Sequence, residues 1–108
     1  MDKTEIEKGK TTAVIAYILL IGSLIALSIN SEEKNKFASF HIRQGLGLTI
    51  TFVAIGLIIS NFNSQHITVP FWIFISILWS FGIISAIKGE IKEIPLVGRF
   101  YQKFFKNL

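Results

Sequence analysis

Three side chains able to do chemistry stand together at His41, Arg43 and Gln44. They follow Phe40 and precede a stretch, 45–59, that is almost wholly apolar apart from Thr49 and Thr51. On a helix, His41, Gly45, Thr49, Phe52 and Gly56 share one stripe, with Gln44, Leu48, Thr51 and Ile55 beside it. An imidazole and an amide thus border a groove of small residues. Two readings follow. These groups line the mouth of a pathway or hold a substrate, as ionisable groups inside apolar spans often do. Alternatively, Arg43 snorkels to phosphates while His41 and Gln44 hydrogen-bond neighbouring helices. The group lies only ~6–11 Å from Phe37 by helical rise, a depth at which snorkelling is easy.

Other reactive constellations are missing from the sequence. No Gly-rich loop with a following Lys is present to cradle phosphate, and Gly45-Leu46-Gly47 lacks the strand and third glycine of a dinucleotide site. Cysteine is absent, which removes disulfides, thiolate metal sites and thiol nucleophiles. His41 and His66 lie at opposite ends of one predicted helix, so they cannot share a metal within one chain. Glu90 and Glu93 sit in a basic tail and read as local ion-pair partners. The expectation is a protein with no catalytic residues, no cofactor and no metal site.

The elements that must position His41–Gln44 are apolar. The chain has 108 residues, of which 51% are hydrophobic and 17% charged, and its mean hydropathy is +0.56. No Asp, Glu, Lys or Arg occurs over 11–31 or 44–87. A water-soluble domain of this size must cover its surface with polar groups, so these gaps argue for lipid as the solvent. A polar lead-in at 1–10 precedes three predicted spans at 11–29, 37–60 and 68–87, which together form an 11–87 membrane domain. The first has 19 uncharged residues, close to the ~20 that a crossing helix needs and long for a signal-peptide core. The turns are NSEEKNK at 30–36, where Asn30 and Glu33 have capping-box spacing, and NFNSQH at 61–66. Pro70 falls near the start of the third span. Trp72 also lies near that end of the span, where an indole suits the headgroup boundary, whereas Trp79 is mid-span and reads as packing. The fold class is all-α: three transmembrane helices and an amphipathic C-terminal helix.

That final helix belongs to a tail over 88–108, broken by Pro95 and Gly98. Val97, Phe100, Tyr101, Phe104, Phe105 and Leu108 fall on one helical face, and Arg99, Gln102, Lys103, Lys106 and Asn107 on the other. The pattern suits a helix lying in the membrane interface with its cations towards anionic headgroups. The same aromatic face could instead pack on the protein's own helices. The net charge of +4 flanks apolar spans, so it points to lipid rather than nucleic acid. Small residues recur four apart: Gly22 and Ala26, Gly45 and Thr49, Ser76 and Ser80, Gly82 and Ala86. Such pairs let helices approach closely, within the chain, in a homo-oligomer or against a membrane-protein partner. Three crossings would put Lys3, Lys8 and Lys10 with the 61–66 turn on one side. All other Lys and Arg would lie on the other side, which the positive-inside rule makes cytoplasmic, the C-terminus included.

The strings KTTAVIAYILLIGSLIALSIN, FASFHIRQGLGL and GEIKEIPLVGRFYQKFFK together resemble a family of small bacterial membrane proteins. That family is described as similar to the membrane-channel subunit of the chloroplast import machinery, the Tic translocon. The resemblance covers about 10–106. It implies a multi-pass protein of the bacterial inner membrane, with Phe40, His41, Arg43 and Gln44 as a family signature. Two functions follow as expectations: a non-enzymatic accessory or assembly subunit of a larger membrane complex, or a transport or protein-translocation component like the import channel. A lipid-organising role for the amphipathic tail is a third.

Overall fold

The computed structural model describes residues 3–108, and all its regular structure is helical. In chain order the helices are α1 (Lys3–Ile15), α2 (Leu19–Glu33), α3 (Lys36–Ile59), α4 (Gln65–Ile87) and α5 (Gly98–Phe104). Two of them, α3 and α4, are long and apolar enough to cross a membrane. At ~1.5 Å per residue each spans about 35 Å. α3 is the hub and touches each of the other four helices.

The first apolar run differs from the expected single helix over 11–29. It is broken at Ala16-Tyr17-Ile18, where Ile18 takes φ −92° and ψ 74°, and the chain folds back on itself. α1 runs alongside the first half of α3: a Cβ on Gly9 would meet the Asn35 side chain, and one on Gly45 would meet the Ala16 carbonyl. α2 then returns along α3 to the 34–36 turn, with Ala26 packed in one buried cluster with Ala16, Ala38 and Ile42. The physical reason is that a break in apolar surroundings is tolerated when neighbouring groups take up the freed carbonyls. Ser23 Oγ donates to the Ala16 carbonyl at 2.8 Å. Trp79 Nε1 donates to the Tyr17 carbonyl at 2.5 Å, so Trp79 does more than fill space.

Both ends of this hairpin are tied at one place. Asn35 caps α3 by accepting from the Ala38 amide at 2.9 Å, and it donates through Nδ2 to the Glu5 carbonyl at 2.8 Å. Asn30 does not cap a helix start, since α2 continues to Glu33. Its side chain closes the turn instead, accepting from the Asn35 amide at 2.8 Å and donating to Ser39 Oγ at 2.8 Å. Lys34 ends α2 in the left-handed region, φ 50°, with its amide bonded to the Asn30 carbonyl. The N-terminal helix therefore lies beside the 34–36 turn, and the described charged residues gather at one end of a body 48 Å long.

The other end is slimmer. All buried residues of α3 lie between Phe37 and Thr49, and those of α4 between Ile75 and Ala86. Beyond them α3 and α4 continue as a bare pair. Phe52 is set against Phe71 and Trp72, with centroids 6.2 and 5.2 Å apart. Val53, Leu57, Ile58, Ile73 and Ile77 point outwards, each about half exposed or more. Only 17% of the most apolar window of α4 is buried inside the molecule. A water-soluble core helix would be mostly covered; these surfaces are what lipid covers.

Candidate functional site at the helix break

The polar triad of α3 sits directly behind the break. His41 and Gln44 are fully buried and Tyr17 nearly so. Tyr17 Oη lies 2.6 Å from His41 Nδ1. Gln44 Nε2 donates to Tyr17 Oη at 2.8 Å, and Gln44 Oε1 accepts from the Ile94 amide at 2.8 Å. His41 Nε2 lies 2.9 Å from the Glu90 carbonyl.

For a neutral imidazole, one proton arrangement gives every bond a donor. Gln44 donates to the Tyr17 oxygen, Tyr17 O–H donates to His41 Nδ1, and His41 Nε2–H donates to the Glu90 carbonyl. The ring is caged edge-on by Phe37, Phe40 and Tyr17, with centroids 4.8, 5.1 and 5.5 Å away. The chain of bonds ends on backbone groups of the tail. It fastens three separate segments: the helix break, α3, and the linker between α4 and α5.

Gly45 and Gly82 make room for this. An added Cβ on Gly45 would lie 2.1 Å from the Ala16 carbonyl oxygen, and one on Gly82 would lie 2.5 Å from the Tyr17 ring. Gly22 meets Ile15 and Ile18 across the bend. Ala26 and Ala86 are fully buried, and Thr49 donates to the Gly45 carbonyl at 2.9 Å. The remaining small residues lie elsewhere. Ser76 and Ser80 are on the outer face of α4, and among the described residues nothing lies within 4 Å of a Cβ built on Gly56.

Arg43 leaves this cluster on the next face of α3. Its Nη1 donates to Gln102 Oε1 at 3.1 Å, and Gln102 Nε2 returns a bond to the Phe40 carbonyl at 2.9 Å. Among the described residues, Arg43 Nε is buried without a hydrogen-bond partner. The tail's aromatic residues divide. Tyr101 is buried over Gly47, its Oη 2.6 Å from Thr51 Oγ1, and burial raises its pKa, partly offset by that hydrogen bond. Val97 and Phe105 pack against the same core. Phe100 and Phe104 stack on each other, centroids 5.7 Å apart, and face outwards. Arg99 reaches Glu93 at 4.0 Å, and Lys92 reaches Glu90 at 3.3 Å; exposed pairs of this kind contribute little. Lys103 and Lys106 are exposed.

Tyr17 and Ser23, both central to this site, were not singled out from the sequence, and Trp79 carries a hydrogen bond beyond the packing expected of it. The available signal was that each is a hydrogen-bonding side chain in the middle of an apolar run, where a donor must find an acceptor. Among the described residues, no group of three or more His, Cys, Asp or Glu side chains is placed to hold a metal ion.

No curated protein and no solved structure matches the chain. A family model does, over residues 8–101, and it overturns the resemblance to the Tic import-channel subunit: the match is to a magnetosome family. The FHIRQG string that carried the resemblance is engaged here in fastening the bend and the tail. The matched segment runs from the first turns of α1 to Tyr101 and includes the whole network around the break, so the chain belongs to the magnetosome magnetite crystal formation protein family, MamF/MmsF.

Proposed function

We propose that the chain is a non-enzymatic accessory protein embedded in the membrane of the compartment in which magnetite crystals form, crossing that membrane twice with both termini on the cytoplasmic side. The family description supports the setting. The observation that carries the architecture is the contact of Glu5 and Gly9 with Asn35. It supports a reading in which α1 lies on the same side as the 34–36 turn, with α1 and α2 entering and leaving one leaflet while α3 and α4 cross. Every Lys and Arg then lies on one side, and the far turn at 61–66 has none. This is a stronger positive-inside bias than three crossings would give.

The non-enzymatic reading is supported by the fate of the polar groups. His41 and Gln44 are consumed in bonds to the break and the tail. In this reading the exposed Phe100 and Phe104 lie in the interface, with Arg99, Lys103 and Lys106 towards anionic headgroups.

Single cysteines test the topology, because the chain has none of its own. In sealed vesicles, Thr4→Cys, Ser31→Cys and Asn107→Cys should react with an impermeant maleimide from one side. Asn63→Cys should react only from the other. Labelling of Thr4→Cys on the same side as Asn63→Cys would restore three crossings. The setting is tested by deleting the gene in its own host: altered magnetite crystals are expected, and unchanged crystals would remove the assignment.

A further inference from the structure

The two halves of this molecule take up different amounts of membrane. At the charged end, α1 packs on α3 and α4, α2 packs on α1 and α3, and α5 packs on α3. Tyr101 Oη on Thr51 marks the deepest bond of α5. Past that level only α3 and α4 remain, held by Phe52 against Phe71 and Trp72. A helix is about 10 Å across, so α1 and α2 alone add roughly 160 Å² of leaflet area at the charged end. The outward side chains of the bend and α2, Ile18, Ile21, Leu24 and Ile25, are exposed and apolar, whereas the exposed residues of α1 are Lys3, Thr4, Glu7, Lys8 and Thr11 at its charged start. The apolar side chains of the bend and α2 demand acyl chains around them, so this extra area lies within the leaflet rather than above it.

We propose that the chain is a membrane wedge that recognises, and helps to form, strongly curved lipid bilayers whose convex leaflet holds the charged end. The inference rests on the two-crossing reading and adds a partner to it: a curved lipid surface. A body wide in one leaflet and narrow in the other relieves packing stress where the first leaflet is expanded. In a flat bilayer the same body leaves acyl chains splayed around the bare α3–α4 pair. Charge holds the orientation, since the 44–87 stretch carries no Asp, Glu, Lys or Arg and the opposite insertion would drag the charged end across the hydrocarbon.

The experiment uses the full chain with Asn63→Cys carrying a fluorophore. It is reconstituted into a mixture of small and large liposomes of phosphatidylcholine and phosphatidylglycerol. Protein per unit of lipid area is read vesicle by vesicle, and an impermeant quencher reports which side Asn63 occupies. The expected result is a several-fold higher density in the smallest vesicles, with Asn63 in their lumen. Equal density at all diameters, or Asn63 outside in the smallest vesicles, overturns the wedge. A second variant tests shape as the cause. Ala54→Trp with Gly56→Trp adds bulk to the narrow half, where Gly56 has open space around it. Size preference should fall in this variant, and undiminished preference would overturn the proposal. Labelling from Thr4→Cys separates the failures. If Thr4 and Asn63 share a side, the two-crossing reading fails; if they do not and density is flat, only the wedge fails.

Discussion

Tyr17 and His41 meet at 2.6 Å across 24 positions of sequence, and that bond joins the bend of the α1–α2 hairpin to the first turns of α3. With Gln44 it forms a closed set in which each polar atom meets a partner. Buried polar groups are costly when partly satisfied and specifying when fully satisfied. This set specifies that residues 16–18 turn back rather than continue.

Gln44 also holds the tail, because its carbonyl oxygen receives the Ile94 amide. Gln44→Leu should orphan that amide and loosen residues 88–97 by ~1–2 kcal/mol. Protease cleavage in this segment, measured in nanodiscs, should then accelerate roughly tenfold. Cleavage at the wild-type rate would show that the tail is held by other contacts.

Two glycines of α3 should respond in opposite directions. Gly45→Ala places a methyl against the Ala16 backbone carbonyl, where a shift is forced, and should cost ~1–3 kcal/mol. Gly56→Ala meets nothing within 4 Å and should gain up to ~1 kcal/mol from helix propensity. Unfolding midpoints in mixed detergent micelles compare the two. Equal shifts would mean that Gly45 does not sit under the bend.

Trp79→Phe removes the donor to the Tyr17 carbonyl. Hydrogen bonds within membranes contribute ~0.6 kcal/mol on average and ~1.7 at most, so a loss in that range is expected. Amide exchange over 16–23 should rise while exchange over 52–60 stays constant. Uniform exchange in both stretches would remove Trp79 from the bend.

Tyr101 makes tail docking sensitive to alkali. Burial raises its pKa above the ordinary tyrosine value of 10.0, so the folded state favours the neutral phenol. The linkage leaves stability unchanged below the unfolded-state pKa and lowers it as pH rises beyond it. Proteolysis of the tail should therefore increase above about pH 10, and less so in Tyr101→Phe. Identical alkaline profiles for the two proteins would contradict a buried Tyr101.

Much of this was legible in the residues. The charge-free run over 44–87, with its turn at 61–66, located α3 and α4, and the Pro95 and Gly98 breaks located α5. The bend was not legible, because 16–18 contains no glycine or proline and no polar run. Its causes lie far away in sequence: Gly45 and Gly82 open the space, and Trp79 supplies the donor. Only Ser23 is near. The aromatic face of the tail read as one surface, yet Tyr101 turns inward, because Gly47 leaves a hollow beneath its ring. A helical period shows which residues share a face, but a hollow on another helix decides what that face meets.

The central claim is that α1 and α2 fold back in one leaflet. The spin–spin distance between labels on Lys8→Cys and Lys34→Cys, both exposed, tests it most directly in a lipid bilayer. A hairpin brings these positions together and should give a short, narrow distribution. A straight crossing helix would separate them by about 40 Å at ~1.5 Å per residue, and a distribution centred there would contradict the account.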